Sequence, residues 1–116
     1  MHNKKRGNLG EQRACQLLQS QAIRIVERNF RTPRGEIDII ARDEDTWVFI
    51  EVKFRQDADF AEVLSQISHA QLARIKTAAR YYLLNKRIAE HLCHIRFDVI
   101  TVTVEPEHIE WFKDAF

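Results

Sequence analysis

Residues 36–55 hold two runs rich in β-branched and aromatic residues, EIDIIAR and TWVFIEVKFR, separated by the three acidic residues DED. Such a pair reads as an antiparallel hairpin, and the length of its turn decides which side chains share a face. No Asn-Gly or Asp-Gly is present to favour a two-residue primed turn, so a four-residue loop over Asp43 to Thr46 is expected. A loop of two or of four residues centred between Glu44 and Asp45 pairs positions whose numbers sum to 89. Asp38 then faces Glu51, and Glu36 faces Lys53. An odd loop would slip the register and put Asp38 and Glu51 on opposite faces.

Glu36, Asp38 and Glu51 are three carboxylates inside otherwise apolar strands, and like charges placed opposite one another destabilise a sheet. Solvent at a strand end or the ammonium of Lys53 would relieve the repulsion, and a divalent cation would relieve it best. Strands about 4.8 Å apart let Asp38 and Glu51 share one Mg²⁺ or Mn²⁺ ion through oxygen contacts near ~2.0–2.1 Å. Lys53, two residues beyond Glu51, emerges on the same face. From there it can hold an attacking water or stabilise charge on a phosphorane oxygen. The metal would acidify a bound water and polarise the phosphate. Two acids and a lysine on one face make a minimal hydrolytic site for phosphodiesters. The bland alternative is a set of cross-strand salt bridges on a solvated sheet edge.

The remaining chain supplies the frame. Residues 9–22 read as a helix with Ala14, Leu17 and Leu18 in its apolar stripe and Glu11 along the edge of its inward face. Residues 23–31 alternate as a half-buried strand, and TPRG at 32–35 supplies a connection. Beyond residue 59 the period becomes helical, with Leu64, Ile67, Gln71, Ile75, Ala78, Tyr82 and Leu83 on one stripe ending near Asn85. A weakly helical piece at 88–92 leads into a strand at 96–104 that Pro106 stops, and 109–112 can add an edge strand. The order α-β-β-β-α-β predicts an α/β fold, a mixed sheet flanked by helices, as one domain over residues 1–116.

At 116 residues there is little room for a second core. The opening HNKKRGN lacks the apolar run of a secretory signal, and no stretch approaches the roughly 20 apolar residues that span a bilayer. Two cysteines outside any CxxC pair do not suggest a disulfide framework, so a cytoplasmic, non-membrane protein is expected. A net charge of +1 counts mildly against tight non-specific nucleic-acid binding, yet Arg31 and Arg34 flank the turn entering the acidic strand as natural phosphate contacts. His91, Cys93 and His94 cluster without a fourth ligand at suitable spacing for zinc. Trp47 and Trp111 read as packing residues. Asp98 is expected to pair with an arginine of the long helix.

Asp38 followed by Glu51-Val52-Lys53, preceded by a helix carrying Glu11, resembles the PD-(D/E)XK nuclease superfamily. The segments GNLGEQRA (7–14), ERNFRTPRGEIDIIARD (27–43), FIEVKFR (49–55) and RFDVITV (96–102) are similar to the YraN-like family of small bacterial proteins over nearly the whole chain. The resemblance implies a restriction-endonuclease-like αβββαβ core, with Asp38, Glu51 and Lys53 as the acids and lysine of the site. It implies Glu11 as a further metal ligand and a less settled role for Glu36, while Arg31, Arg34 and Arg55, from the basic stretch around the motif, are the candidate contacts to nucleic acid. The motif's proline before the first acid is absent, with Ile37 in its place. Gln71 stands where relatives often carry lysine, which weakens a phosphate contact there. The implied activity is a Mg²⁺- or Mn²⁺-dependent endonuclease on DNA, including branched or repair intermediates; the alternative is a non-catalytic nucleic-acid-binding module of the same fold. Cutting a junction needs two sites, for which a homodimer is one source, although no segment marks an interface.

Overall fold

The structure, a computed structural model, describes residues 2–55, 67–103 and 107–116, with side chains from residue 9 to 54 in the first stretch. Its elements are α1 (His2–Ser20), β1 (Arg24–Thr32), β2 (Gly35–Asp43), β3 (Thr46–Arg55), α2 (His69–Asn85), a 3₁₀ turn (Glu90–Leu92), β4 (His94–Thr103) and β5 (His108–Phe112). The strands form one mixed sheet in chain order. Neighbours are antiparallel except β3 and β4, which run parallel. This is the α/β architecture that the hydrophobic periods predict. Leu64 and Pro106, assigned roles from sequence, lie outside the described residues.

The alternation of β3 explains why a helix covers each face. Val48, Ile50, Val52 and Phe54 pack with Ala14, Cys15 and Leu18 of α1, whereas Trp47 and Phe49 pack with Ile75, Ala78, Tyr82 and Leu83 of α2. Two glycines set how close the helices come. A Cβ on Gly10 would lie 3.0 Å from the Phe54 ring, and one on Gly35 would lie 2.6 Å from the Arg74 carbonyl oxygen. Gly35 therefore lets α2 press on the β1–β2 turn, and Gly10 seats α1 low over β3.

The β2–β3 ladder runs from Ile39 with Ile50 to Asp43 with Thr46, every pair summing to 89 as expected. Its loop, however, is two residues and not four, because Glu44 takes the left-handed φ of 55° that a tight turn requires. Both helices end without glycine at the position that favours it. After α1, Ala22 (φ 62°) lies in the left-handed region, with Ile23 N–H donating to Leu18 O at 3.0 Å and Ala22 N–H to Gln19 O at 3.1 Å. After α2, Arg87 (φ 58°) does the same, with Ile88 N–H to Leu83 O at 2.9 Å and Arg87 N–H to Leu84 O at 3.0 Å. These are two Schellman motifs, each with its apolar pair packed into a core cluster: Ile23 with Leu18, and Ile88 with Leu83. Helix α1 thus stops at Ser20, two residues short of the sequence reading, and begins earlier, at His2.

A buried polar knot fastens the C-terminus. Asp98, fully buried, accepts from Arg96 Nε at 2.9 Å, Trp111 Nε1 at 2.8 Å and the Asp114 N–H at 2.9 Å, while Arg96 also donates to Asp43 at 3.1 Å. The partner of Asp98 is therefore an arginine two residues away on its own strand, not one from the long helix. Alternation puts Arg96 and Asp98 on one face of β4, where the pair meets Trp111 of the adjoining strand. Beside it, Ala115 N–H donates to Phe97 O at 2.7 Å. A charge this deeply buried persists only because all its acceptor sites are used.

Candidate functional site

The strands bring Asp38 and Glu51 together. Beyond Ile39 and Ile50 the β2–β3 ladder stops, and the Val52 N–H donates to Asp38 Oδ2 at 2.8 Å. A side chain here replaces the main-chain partner, which brings the Asp38 carboxyl alongside Glu51. By the alternation of β3, Glu51 and Lys53 lie on the α2 side. Gln71 Nε2 donates to Glu51 Oε2 at 3.0 Å. The start of α2 fixes that donor: Ser68 Oγ caps the helix by accepting the Gln71 N–H at 3.1 Å. From sequence Gln71 is a weakened phosphate contact; in the structure its amide is turned onto an acid of the site.

Burial, above all, pushes the Glu51 carboxyl up to about 9; its hydrogen bond to Asp38 and the Asp38 charge add to this, against the opposing pull of Lys53 and Gln71. Near neutral pH the Asp38–Glu51 pair accordingly holds one proton between two carboxyls. Glu11 arrives from the other face. It is buried, and one carboxyl oxygen, Oε1, has no hydrogen-bond partner. Burial raises its pKa first, then the charge of Asp38, with Glu36 adding and Arg28 and Arg31 opposing.

The other expected residues fall differently. Glu36 does not meet Lys53, because the β2–β3 ladder ends short of both. It stands opposite Arg31 on β1 and forms an exposed ion pair with it at 3.5 Å. Arg34 is exposed at the β1–β2 turn and lines, with Thr32, Pro33, Tyr81 and Leu84, an open cavity of about 490 Å³. The Arg55 side chain lies outside the described residues. Arg28 was not singled out from sequence as a site residue; its charge reaches both Glu11 and Cys15. Across from Lys53 in the parallel register is Thr101, buried with its hydroxyl unpartnered, and Thr103 is in the same condition.

Among the described residues, no cluster of three His, Cys, Asp or Glu side chains stands ready to enclose a metal ion. The His91, Cys93 and His94 group is no exception, and the Cys93 thiol donates to Ala89 O at 3.1 Å. The donor chemistry of the acids nonetheless fits a hard divalent cation. Asp38 and Glu51 adjoin, and the orphaned Glu11 oxygen is a buried acceptor of the type such an ion takes.

Taken together, the chain is an α/β protein whose central hairpin carries a half-buried carboxyl pair with a lysine on the same sheet face. The model of the family described as "Uncharacterised protein family UPF0102" matches residues 10–102, and the chain belongs to that family. It is 49% identical over 110 residues to a UPF0102 protein of Idiomarina loihiensis, covering 95% of each chain. It is 40% identical over 114 residues to one of Shewanella halifaxensis, covering 98% of this chain and 96% of the relative. With one of Chromohalobacter salexigens it is 41% identical over 116 residues, 98% of this chain and 92% of the relative. Among the described residues, no helix is long and apolar enough to cross a membrane.

Proposed function

We propose that this chain is a Mg²⁺- or Mn²⁺-dependent endonuclease of the PD-(D/E)XK superfamily that hydrolyses DNA phosphodiester bonds, on branched or repair intermediates. The observation that carries the reading is the placement of Asp38 beside Glu51, with Lys53 one pleat further on the same strand. Asp38, Glu51 and Glu11 would hold the metal, which when bound supplies an acidified water and Lewis-acid polarisation of the phosphate. The chain's own groups do the rest. Glu51 gives up its proton to serve as a ligand, so metal affinity rises with pH toward 9. The Gln71 amide holds the Glu51 carboxyl in place, and the Lys53 ammonium faces the charge that develops on the phosphoryl oxygens. Where a four-way junction is the substrate, a second copy of the chain would supply the second site.

A second reading, a binding module that keeps the fold without cutting, is favoured by the exposed Arg28, Arg31 and Arg34, which serve phosphates whether or not a metal binds. Cleavage of single strands, flaps, four-way junctions and plasmid, with and without Mg²⁺ or Mn²⁺, separates the two. Cutting that needs the metal and is lost in Asp38→Ala, Glu51→Ala and Lys53→Ala, by at least ~10²-fold each, with DNA binding retained, supports the nuclease. Wild-type protein that binds DNA without metal and cuts nothing would leave only the binding module.

A further inference from the structure

The β1–β2 ribbon turns over at one level. In a regular strand, residues two apart share a face. Here Ile39, opposite Arg28, packs with α1, while Phe30 and its partner Ile37 pack with α2. The register does not slip between these pairs: one residue of each strand, Asn29 and Asp38, stands between them, and neither joins a ladder pair. The alternation of exposure along β1 breaks at the same place, with Arg28 and Asn29 both exposed. Asn29 has φ 56°, in the left-handed region that residues other than glycine rarely adopt and that asparagine tolerates better than most.

We infer that Asn29 is a positioning residue for the carboxyl site, because its left-handed backbone makes the turnover that places Asp38 between the two faces of the sheet. The inference rests on the reading of Asp38, Glu51 and Glu11 as a ligand set, although the turnover is a matter of backbone geometry alone. From its place at the crossover, Asp38 accepts from the Val52 amide and bonds Glu51 on the α2 side, and its charge reaches Glu11 on α1. The turnover also sets where two arginines lie: Arg28, opposite Ile39, and Arg31, next after Phe30, both fall on the α1 side of the ribbon, the side of Glu11. Asn29 thus sets which charges surround the acids without itself touching substrate or metal.

The Val52 amide reports this geometry independently of any metal. In amide hydrogen exchange followed by NMR, Asn29→Gly keeps Val52 as protected as in wild type, since glycine retains the left-handed conformation. Asn29→Val, and more mildly Asn29→Ala should the valine variant not fold, speeds Val52 exchange by about tenfold or more while amides of β4 stay protected. Asp38→Ala gives the reference for full loss of the Val52 acceptor. A folded Asn29→Val or Asn29→Ala protein with wild-type protection at Val52 overturns the inference. A Mn²⁺ titration of the same proteins separates the two ideas. Binding in wild type and Asn29→Gly that weakens in Asn29→Val supports both. Wild-type protein that ignores Mn²⁺ removes the ligand set, while exposure of Val52 in the valine variant still upholds the role of Asn29.

Discussion

Under the proposed function, Glu51 has two jobs that pull against each other. Burial and Asp38 push its carboxyl from 4.5 up to about 9, so it keeps its proton near neutral pH. The folded state then binds a proton that the unfolded chain releases above pH 4.5 or so, and stability falls where the unfolded state binds fewer protons. The contribution is complete below the unfolded value and is lost as pH climbs toward about 9. Glu11, raised in the same direction by burial and Asp38, reinforces the slope. Glu51→Gln should therefore flatten the fall in stability between about pH 5 and 9, giving a protein more resistant than wild type at the alkaline end. Urea unfolding across that range in the presence of a chelator measures it; parallel curves for the two proteins would contradict a proton held at Glu51. The amide that mimics the protonated acid cannot ligate a cation as a carboxylate does, so the same change should remove metal binding. The proposed function thus sets stability and metal binding in opposition at this one side chain.

At the level of elements, the two helix ends are among the places where a non-glycine residue takes a left-handed backbone. Ala22 and Arg87 sit where a Schellman motif favours glycine, and an L-residue in that conformation costs roughly 1 kcal/mol. Ala22→Gly and Arg87→Gly should each stabilise the fold by roughly 0.5–1 kcal/mol, additively, as a rise in urea midpoint without change in slope. A loss at either position would mean that the side chain contributes more than the backbone costs. The same residues explain what sequence could and could not show. The hairpin of β2 and β3 was legible because Ile39, Ala41, Val48 and Ile50 alternate against Ile40 and Phe49, and any even turn gives the same register. Its two-residue loop was not, since Glu44 carries no glycine-like signal. The proximity of Asp38 and Glu51 was legible from that register carried one step past its last pair, Ile39 with Ile50. The proposed pairing of Glu36 with Lys53 followed from the same arithmetic and failed, because the turnover at Asn29 and Asp38 breaks the alternation beyond Ile39. Nothing in ERNFRT marks that turnover, as asparagine in a strand is also simply a polar residue. Burial of Glu11 was partly legible from its helical phase, but its depth comes from the close seat of Gly10 on Phe54, a tertiary contact.

Across the whole molecule, the sheet face toward α2 is divided. The helix covers the end built from Trp47, Phe49, Ile95 and Phe97, and the alternating residues at the other end are Glu51, Lys53, Thr101 and Glu110. The first turn of the helix meets this second group at Glu51, through Gln71. One feature of the topology also orders these parts in time. Strands β1, β2 and β3 are joined by turns of two residues, whereas every β3–β4 pair, from Thr46 with His94 to Arg55 with Thr103, spans 48 residues of chain. Closing so long a loop costs entropy before any contact repays it, so the parallel pairing is expected late and the three-stranded meander early. Refolding kinetics should then show conservative truncations in the meander, such as Ile39→Val, slowing folding, while Ile100→Val on β4 mainly speeds unfolding. The reverse pattern would mean that the central parallel pair nucleates the fold. If the meander does come first, Asp38 and Glu51 are brought face to face while still open to water, and the proton they share is taken up only as β4 and the helices close over them.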